Sequence, residues 1–225
     1  MSQRFERQLS LIGDSGQRVL SGSCVAVIGC GGLGSIVITD LVSAGVGHLI
    51  LVDGDTVSES NMNRQFIHAG RIGWSKAESA AEWVSQLYPD CKVDVVARYL
   101  EHDDIDILSE ADVVVDCLDS SEDRVMLGHM CIDAGKVLVH AAIDSYHGQV
   151  AVIRPEDILR MDHIYPKPSK GGAHHSISTA VTFVGSLEAN EVINVLLGSD
   201  SCLRDEILSV DIGDYSMTRY RIGPS

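Results

Sequence analysis

The sequence predicts an α/β protein with a Rossmann-type, doubly wound, mainly parallel sheet and antiparallel strands toward the C-terminus. Three observations predict it. Short apolar, β-branched runs alternate with longer amphipathic stretches between residues 24 and 142. The first run ends in a glycine turn that opens at once into a helical pattern. After residue 142 the alternation stops, and apolar runs follow one another across short polar links.

Taken in order, residues 24–28 read as a buried strand and 33–44 as a helix, with Gly45 near its end. Residues 48–52 form a second strand closing on Asp53. A helix over 75–88 is stopped by Pro89, and 92–97 is a third strand. Residues 111–117 are a fourth strand, 123–134 a helix and 137–142 a fifth strand. Residues 148–153 then suit an antiparallel partner of the fifth strand. The stretch 154–176 holds three prolines and a Gly-Gly pair and reads as a loop with at most one helical turn. A long helix over 178–197 precedes closing strands at 207–211 and 216–222.

A length of 225 residues fits one α/β domain spanning 1–225, with 1–22 as an N-terminal helical arm and 154–176 as a crossover-type loop. Hydrophobic residues, at 45 %, suffice for a core. Seventeen Lys and Arg stand against 32 Asp and Glu, and the net charge of −15 disfavours nucleic acid and anionic membranes as partners. The opening residues lack the apolar segment of a secretory signal, and no run is long enough to span a bilayer, so a cytoplasmic protein is expected. The six cysteines form no Cys-x-x-Cys pair; they read as reduced, mostly buried thiols, and no structural zinc is expected.

The chemistry concentrates in two places. Gly29, Gly31, Gly32 and Gly34 complete a G-x-G-x-x-G turn between strand and helix, where free backbone N–H groups favour a phosphate. Asp53, at the end of the second strand, suits ribose hydroxyls. That much leaves NAD, FAD and ATP open. Beyond it, Asp55, Asn61, Asn63, Arg64 and Gln65 place polar and cationic groups past the ribose strand, and Lys76 follows on the next helix. A hydride-transfer enzyme has no need of cations there, whereas a triphosphate attacked at its α-phosphate does. Asp116 and Asp119 lie at the carboxyl end of the fourth strand, where carboxylates beside polyphosphate suit Mg²⁺.

These motifs, from Arg4-Phe5-Glu6-Arg7-Gln8 through Ser60-Asn61-x-Asn63-Arg64-Gln65 and Asp116-Cys117-x-Asp119 to Gly185-Ser186-Leu187, resemble the ThiF/MoeB/HesA family of bacterial relatives of ubiquitin-activating enzymes. The resemblance covers nearly the whole chain. It implies an adenylyltransferase that uses ATP and Mg²⁺. The glycine loop and Asp53 would hold the nucleotide, Asn61, Arg64 and Lys76 the phosphates, and Asp119 the Mg²⁺. It also implies a homodimer, in which Arg7 reaches the other subunit's triphosphate. The implied substrate is the Gly-Gly C-terminus of a small ubiquitin-like sulfur-carrier protein, serving thiamine, molybdopterin or sulfur-amino-acid pathways. On its own, Arg7 reads as a surface helix residue, Arg64 has a structural ion pair with the acidic run before it as its alternative, and Asp116 reads as a residue orienting its turn rather than binding metal directly.

The chain departs from that family in two respects. Many members carry a tetrathiolate zinc site and a cysteine in the crossover loop, and neither pattern is present. Cys30 and Cys117 sit where small buried residues belong, and Cys202 lies on a loop after the last helix. Adjacent His174 and His175 point different ways on most backbones and read as a loop or interface pair. Alternatives are a tRNA threonylcarbamoyladenosine dehydratase-like enzyme, a nicotinamide-dependent dehydrogenase, and a non-catalytic nucleotide-binding scaffold for a carrier.

Overall fold

The computed structural model describes residues 3–169 and 175–223. A 3₁₀ turn at Gln3–Phe5 leads into α1 (Glu6–Gly22), which Gly13 interrupts at φ 67°. Then come β1 (Cys24–Ile28), α2 (Gly32–Ala44), β2 (His48–Val52), α3 (Lys76–Leu87), β3 (Lys92–Val96), α4 (Ile105–Ser109), β4 (Val113–Asp116) and α5 (Ser121–Asp133). The chain closes with β5 (Val137–Asp144), β6 (His147–Ile153), α6 (Met161–Ile164), α7 (Ser178–Leu196), β7 (Glu206–Asp211) and β8 (Ser216–Arg221).

The strands form one eight-stranded sheet in the order β3-β2-β1-β4-β5-β6-β7-β8. Pairing is parallel from β3 through β5 and antiparallel from β5 through β8, as the sequence predicts. β1 and β4 are buried along their whole length because helices cover both faces of the sheet. Val25 and Val27 point to one face, where they join Val37 and Leu41 of α2, Ala80 and Val84 of α3, and Val184 and Val192 of α7. Ala26 and Ile28 point to the other, with Leu108 of α4, Leu127 and Met130 of α5 and Met161 of α6. The amide of Cys24 takes a hydrogen bond acceptor in the Asp112 carboxylate at 2.8 Å, a link across 88 residues that fixes where β4 enters beside β1.

The N-terminal arm is tied to the body at a helix end. Gln8 and Gln17 donate to the Ala44 carbonyl at 2.7 and 3.1 Å, satisfying one of the C-terminal carbonyls that α2 leaves unpaired. Two boundaries move from the sequence reading for local reasons. α5 starts at Ser121 because Ser120 caps it, accepting from the Asp123 amide. α3 starts at Lys76, with Ser75 as its cap. Among the described residues of 154–176 the single helical turn is α6; residues 170–174, with the Gly-Gly pair and His174, lie outside the described residues. The short α4 has no counterpart in the sequence reading, since five residues are too few to show helical period. No described helix is long and apolar enough to cross a membrane.

Candidate active site

A cavity of about 450 Å³ opens along the carboxyl edge of the parallel strands. The strand order sorts its wall. Arg98, Tyr99 and Leu100 follow β3, Asp53 and Asp55 follow β2, the glycine loop follows β1, Leu118 and Asp119 follow β4, and Ala142 and Ile143 belong to β5. Tyr165 and Ser176 complete the β5 end.

Gly29, Gly31 and Gly32 face this cavity. Gly34 does not: a Cβ there would lie 1.9 Å from the Gly29 carbonyl oxygen, so its task is to let α2 pack onto its own turn. Asp53 bridges the loop and its own turn, its Oδ2 accepting from the Cys30 amide and its Oδ1 from the Asp55 amide, each at 2.7 Å. Burial pushes its carboxyl above the usual range, against the pull of those two donors. Gln65, only 3 % exposed, lines the cavity with an Oε1 that has no hydrogen-bond partner. A buried amide oxygen left unpaired costs about 1–3 kcal/mol.

The cations divide by their partners. Arg64 donates to the Ser60 carbonyl at 3.0 Å and to Asn63 Oδ1 at 2.8 Å, both neutral, rather than to the acidic run before it. Lys76, nearly buried, bonds Asp55 Oδ2 at 2.7 Å. Arg98 grips Asp104 with both guanidinium arms at 2.5 and 2.6 Å, and Arg124 faces Asp116 at 3.4 Å. Among the cations that line the cavity, Arg64 alone is bonded to neutral groups and not to a carboxylate. Asn61 lines the cavity and accepts from the Ser58 amide at 2.9 Å, which shapes the turn carrying Arg64. Asn63 stands outside the main cavity, as does Arg7, exposed on α1.

Asp119 is exposed and lines the cavity, whereas Asp116 is fully buried beneath it. The Asp116 side chain accepts from the Leu118 amide at 3.1 Å and pairs with His140 Nδ1 at 2.7 Å, which orients the turn and engages both carboxylate oxygens. With Nδ1–H donating to the Asp116 carboxylate, His140 keeps Nε2 as an acceptor, facing the Tyr165 hydroxyl at 3.4 Å and the Gln149 amide at 3.3 Å. Burial pushes His140 below the ordinary histidine range. Arg124 donates to the carbonyls of Ala141, at 2.5 Å, and Leu118. Asp116 orients its turn, as one reading of the sequence has it, whereas Arg124, His140 and Tyr165 are not found from the sequence; an arginine on the helix just after Asp119 is the local signal. Glu188 of α7, also fully buried, keeps an unpaired Oε1, and burial pushes its carboxyl well above the usual range.

No cysteine among the described residues is poised as a thiolate. Burial pushes Cys30 and Cys117 well above the usual thiol range, and Cys202 up to about 11 although Arg154 lies 2.9 Å from its sulfur. Among the described residues no three His, Cys, Asp or Glu side chains are grouped to hold a metal. The exposed carboxylate of Asp119 still fits Mg²⁺, which takes one or two carboxylates and completes its shell with phosphate oxygens and water.

Comparison with known proteins identifies the family. The ThiF family model matches residues 5–225. SAMP-activating enzyme E1 of Haloferax volcanii is 33 % identical over 98 % of this chain and 86 % of its own length. The adenylyltransferase and sulfurtransferase MOCS3 of Drosophila sechellia is 36 % identical over 92 % of this chain, which spans 48 % of that protein. Crystal structures of E. coli MccB share the fold; the one with ATP gives a TM-score of 0.83 at 19 % identity, covering 100 % of this chain and 72 % of MccB. The chain belongs to the ThiF family, as an enzyme of its adenylyltransferase type.

Proposed function

We propose that this chain uses ATP and Mg²⁺ to adenylate a carboxylate, the C-terminal glycine of a small ubiquitin-like sulfur-carrier protein. One observation carries the reading: a single cavity gathers the glycine loop, Asp53, Arg64, Lys76 and Asp119, residues scattered over three strand ends. Phosphates at the glycine loop and ribose at Asp53 direct the base toward β3 and the α-phosphate toward Asp119 and β5. The carrier's tail then enters from the β5 end, past Ala142 and Tyr165.

A carboxylate oxygen attacks the α-phosphorus. The bond from that phosphorus to the α,β-bridging oxygen breaks, pyrophosphate leaves with the oxygen, and an acyl-adenylate remains. Arg64, whose guanidinium is not spent on a carboxylate, stabilises charge developing on the phosphates, and Asn61 holds its turn in place. Mg²⁺ held by Asp119 would neutralise polyphosphate charge. Arg7 is exposed on α1 and stands outside its own chain's cavity, which is compatible with its serving the triphosphate of a second copy as a further cation in a homodimer. A cytoplasmic location accords with reduced thiols.

The test is ATP–pyrophosphate exchange with a panel of Gly-Gly-tailed carriers. Carrier-dependent exchange that vanishes in Arg64→Ala is expected. Tight MgATP binding without exchange on any carrier would overturn the carrier as substrate.

A further inference from the structure

Tyr99 belongs to none of the motifs read from the sequence, yet it stands at the β3 end of the cavity in an unusual position. Its ring is 67 % exposed and lies against Gly54, where a Cβ would come within 2.6 Å of the ring Cγ. Only a glycine between Asp53 and Asp55 lets the phenol approach. The hydroxyl donates to Asp55 Oδ1 at 2.6 Å, and Asp55 Oδ2 accepts from Lys76 Nζ at 2.7 Å. The Lys76 amide also donates to the Asp55 carbonyl, at 3.0 Å. Both carboxylate oxygens are thus engaged, one by the phenol and one by the ammonium. Burial alone would push the Asp55 carboxyl up, but the hydrogen bonds from Lys76 and Tyr99 outweigh it and hold the carboxyl below the usual range.

We propose that Tyr99 is a positioning residue which, acting through Asp55, holds the Lys76 ammonium at the ribose end of the site. The inference rests on the nucleotide reading above for its consequence, though not for its geometry. Asp55 is half exposed, and without the phenol its carboxylate turns toward water and takes Lys76 with it. With the phenol in place, a nucleotide meets a cation that is already fixed and loses no affinity to ordering it.

The experiment is a double-mutant cycle on the full-length protein with Tyr99→Phe and Asp55→Asn. The exposed ring is kept in Tyr99→Phe, so folding is not at stake. One readout is the rate at which acetic anhydride labels Lys76 in nucleotide-free protein, followed by mass spectrometry; the other is MgATP affinity by direct titration. Each single variant is expected to label Lys76 severalfold faster and to bind MgATP about fivefold more weakly, the effect of one hydrogen bond to a carboxylate. The double variant should be no worse than Asp55→Asn alone. Additive effects, or Tyr99→Phe labelling at the unmodified rate, would overturn the proposal. Absence of MgATP binding in the unmodified protein would instead sink the adenylation reading, and the labelling cycle would still decide the role of Tyr99.

Discussion

At the β3 end of the cavity, Asp55 holds a lysine and a phenol with water at its side; at the β4–β5 end, Asp116 holds an arginine and a histidine with none. The inventories are alike and the surroundings are not. Half-exposed Asp55 can exchange partners at small cost, since water and salt offset whatever contact is lost. Asp116 cannot, because each partner it gave up would remain as an uncompensated charge or donor in the interior. One end is held by contacts that water can replace in part, while the other is a buried floor that sets where Leu118 and Asp119 stand.

That contrast can be broken most sharply at Asp116. Replacing it with alanine leaves Arg124 and His140 buried without their carboxylate and should cost about 3–5 kcal/mol, read as a large drop in the urea midpoint. Next comes Arg64→Ala, which should slow pyrophosphate exchange by about 10²–10³. Its unfolding midpoint should stay unchanged; a matching loss of stability would make Arg64 structural.

Acidity sharpens the comparison further. Glu188 is raised by burial, so above about pH 4.3 the unfolded chain ionises it while the folded chain does not, and stability falls as pH rises toward the folded value. His140 is depressed, so below about pH 6.5 the unfolded chain takes up a proton that the folded chain resists, and stability falls as pH drops. The two slopes, each at most about 1.4 kcal/mol per pH unit, oppose one another between these values. Glu188→Gln should therefore be more stable than the parent at pH 7 and equal to it near pH 4, as measured by urea titrations at both. The smallest effect belongs to Arg98→Gln: its guanidinium is half exposed, and losing the two-armed pair with Asp104 should cost at most about 1 kcal/mol, read from the unfolding midpoint.

What could be read ahead of the structure follows the range of each interaction. The glycine turn, Asp53 and the Asn61–Arg64 turn are legible because a strand–turn–helix fixes their spacing locally. Even there, the bond from Cys30 to Asp53 depends on the β1–β2 register, and Gly34 looked like a phosphate residue until the close approach to Gly29 set its task. The Asp116 cluster is different. Its members come from β4, α5, β5, β6 and the segment after α6, and only strand order makes them neighbours. Nothing in the spacing of residues 116, 124, 140, 149 and 165 announces that they meet. Tyr99 is an intermediate case, visible as an aromatic after a strand but not as a partner of Asp55.

The placement of β4 beside β1 carries a consequence for biosynthesis. β1 gains β2 as a neighbour soon after it is made, but its other flank stays open until residues 113–116 arrive and the link from Cys24 to Asp112 closes. A chain halted on the ribosome before that point would already have its glycine loop, Arg64 and Lys76, yet lack the Leu118–Asp119 wall. Such a distant pairing is slow to close and leaves an apolar strand edge open while it waits. On the proposed reading, competence to hold a nucleotide would thus wait for the insertion of one central strand.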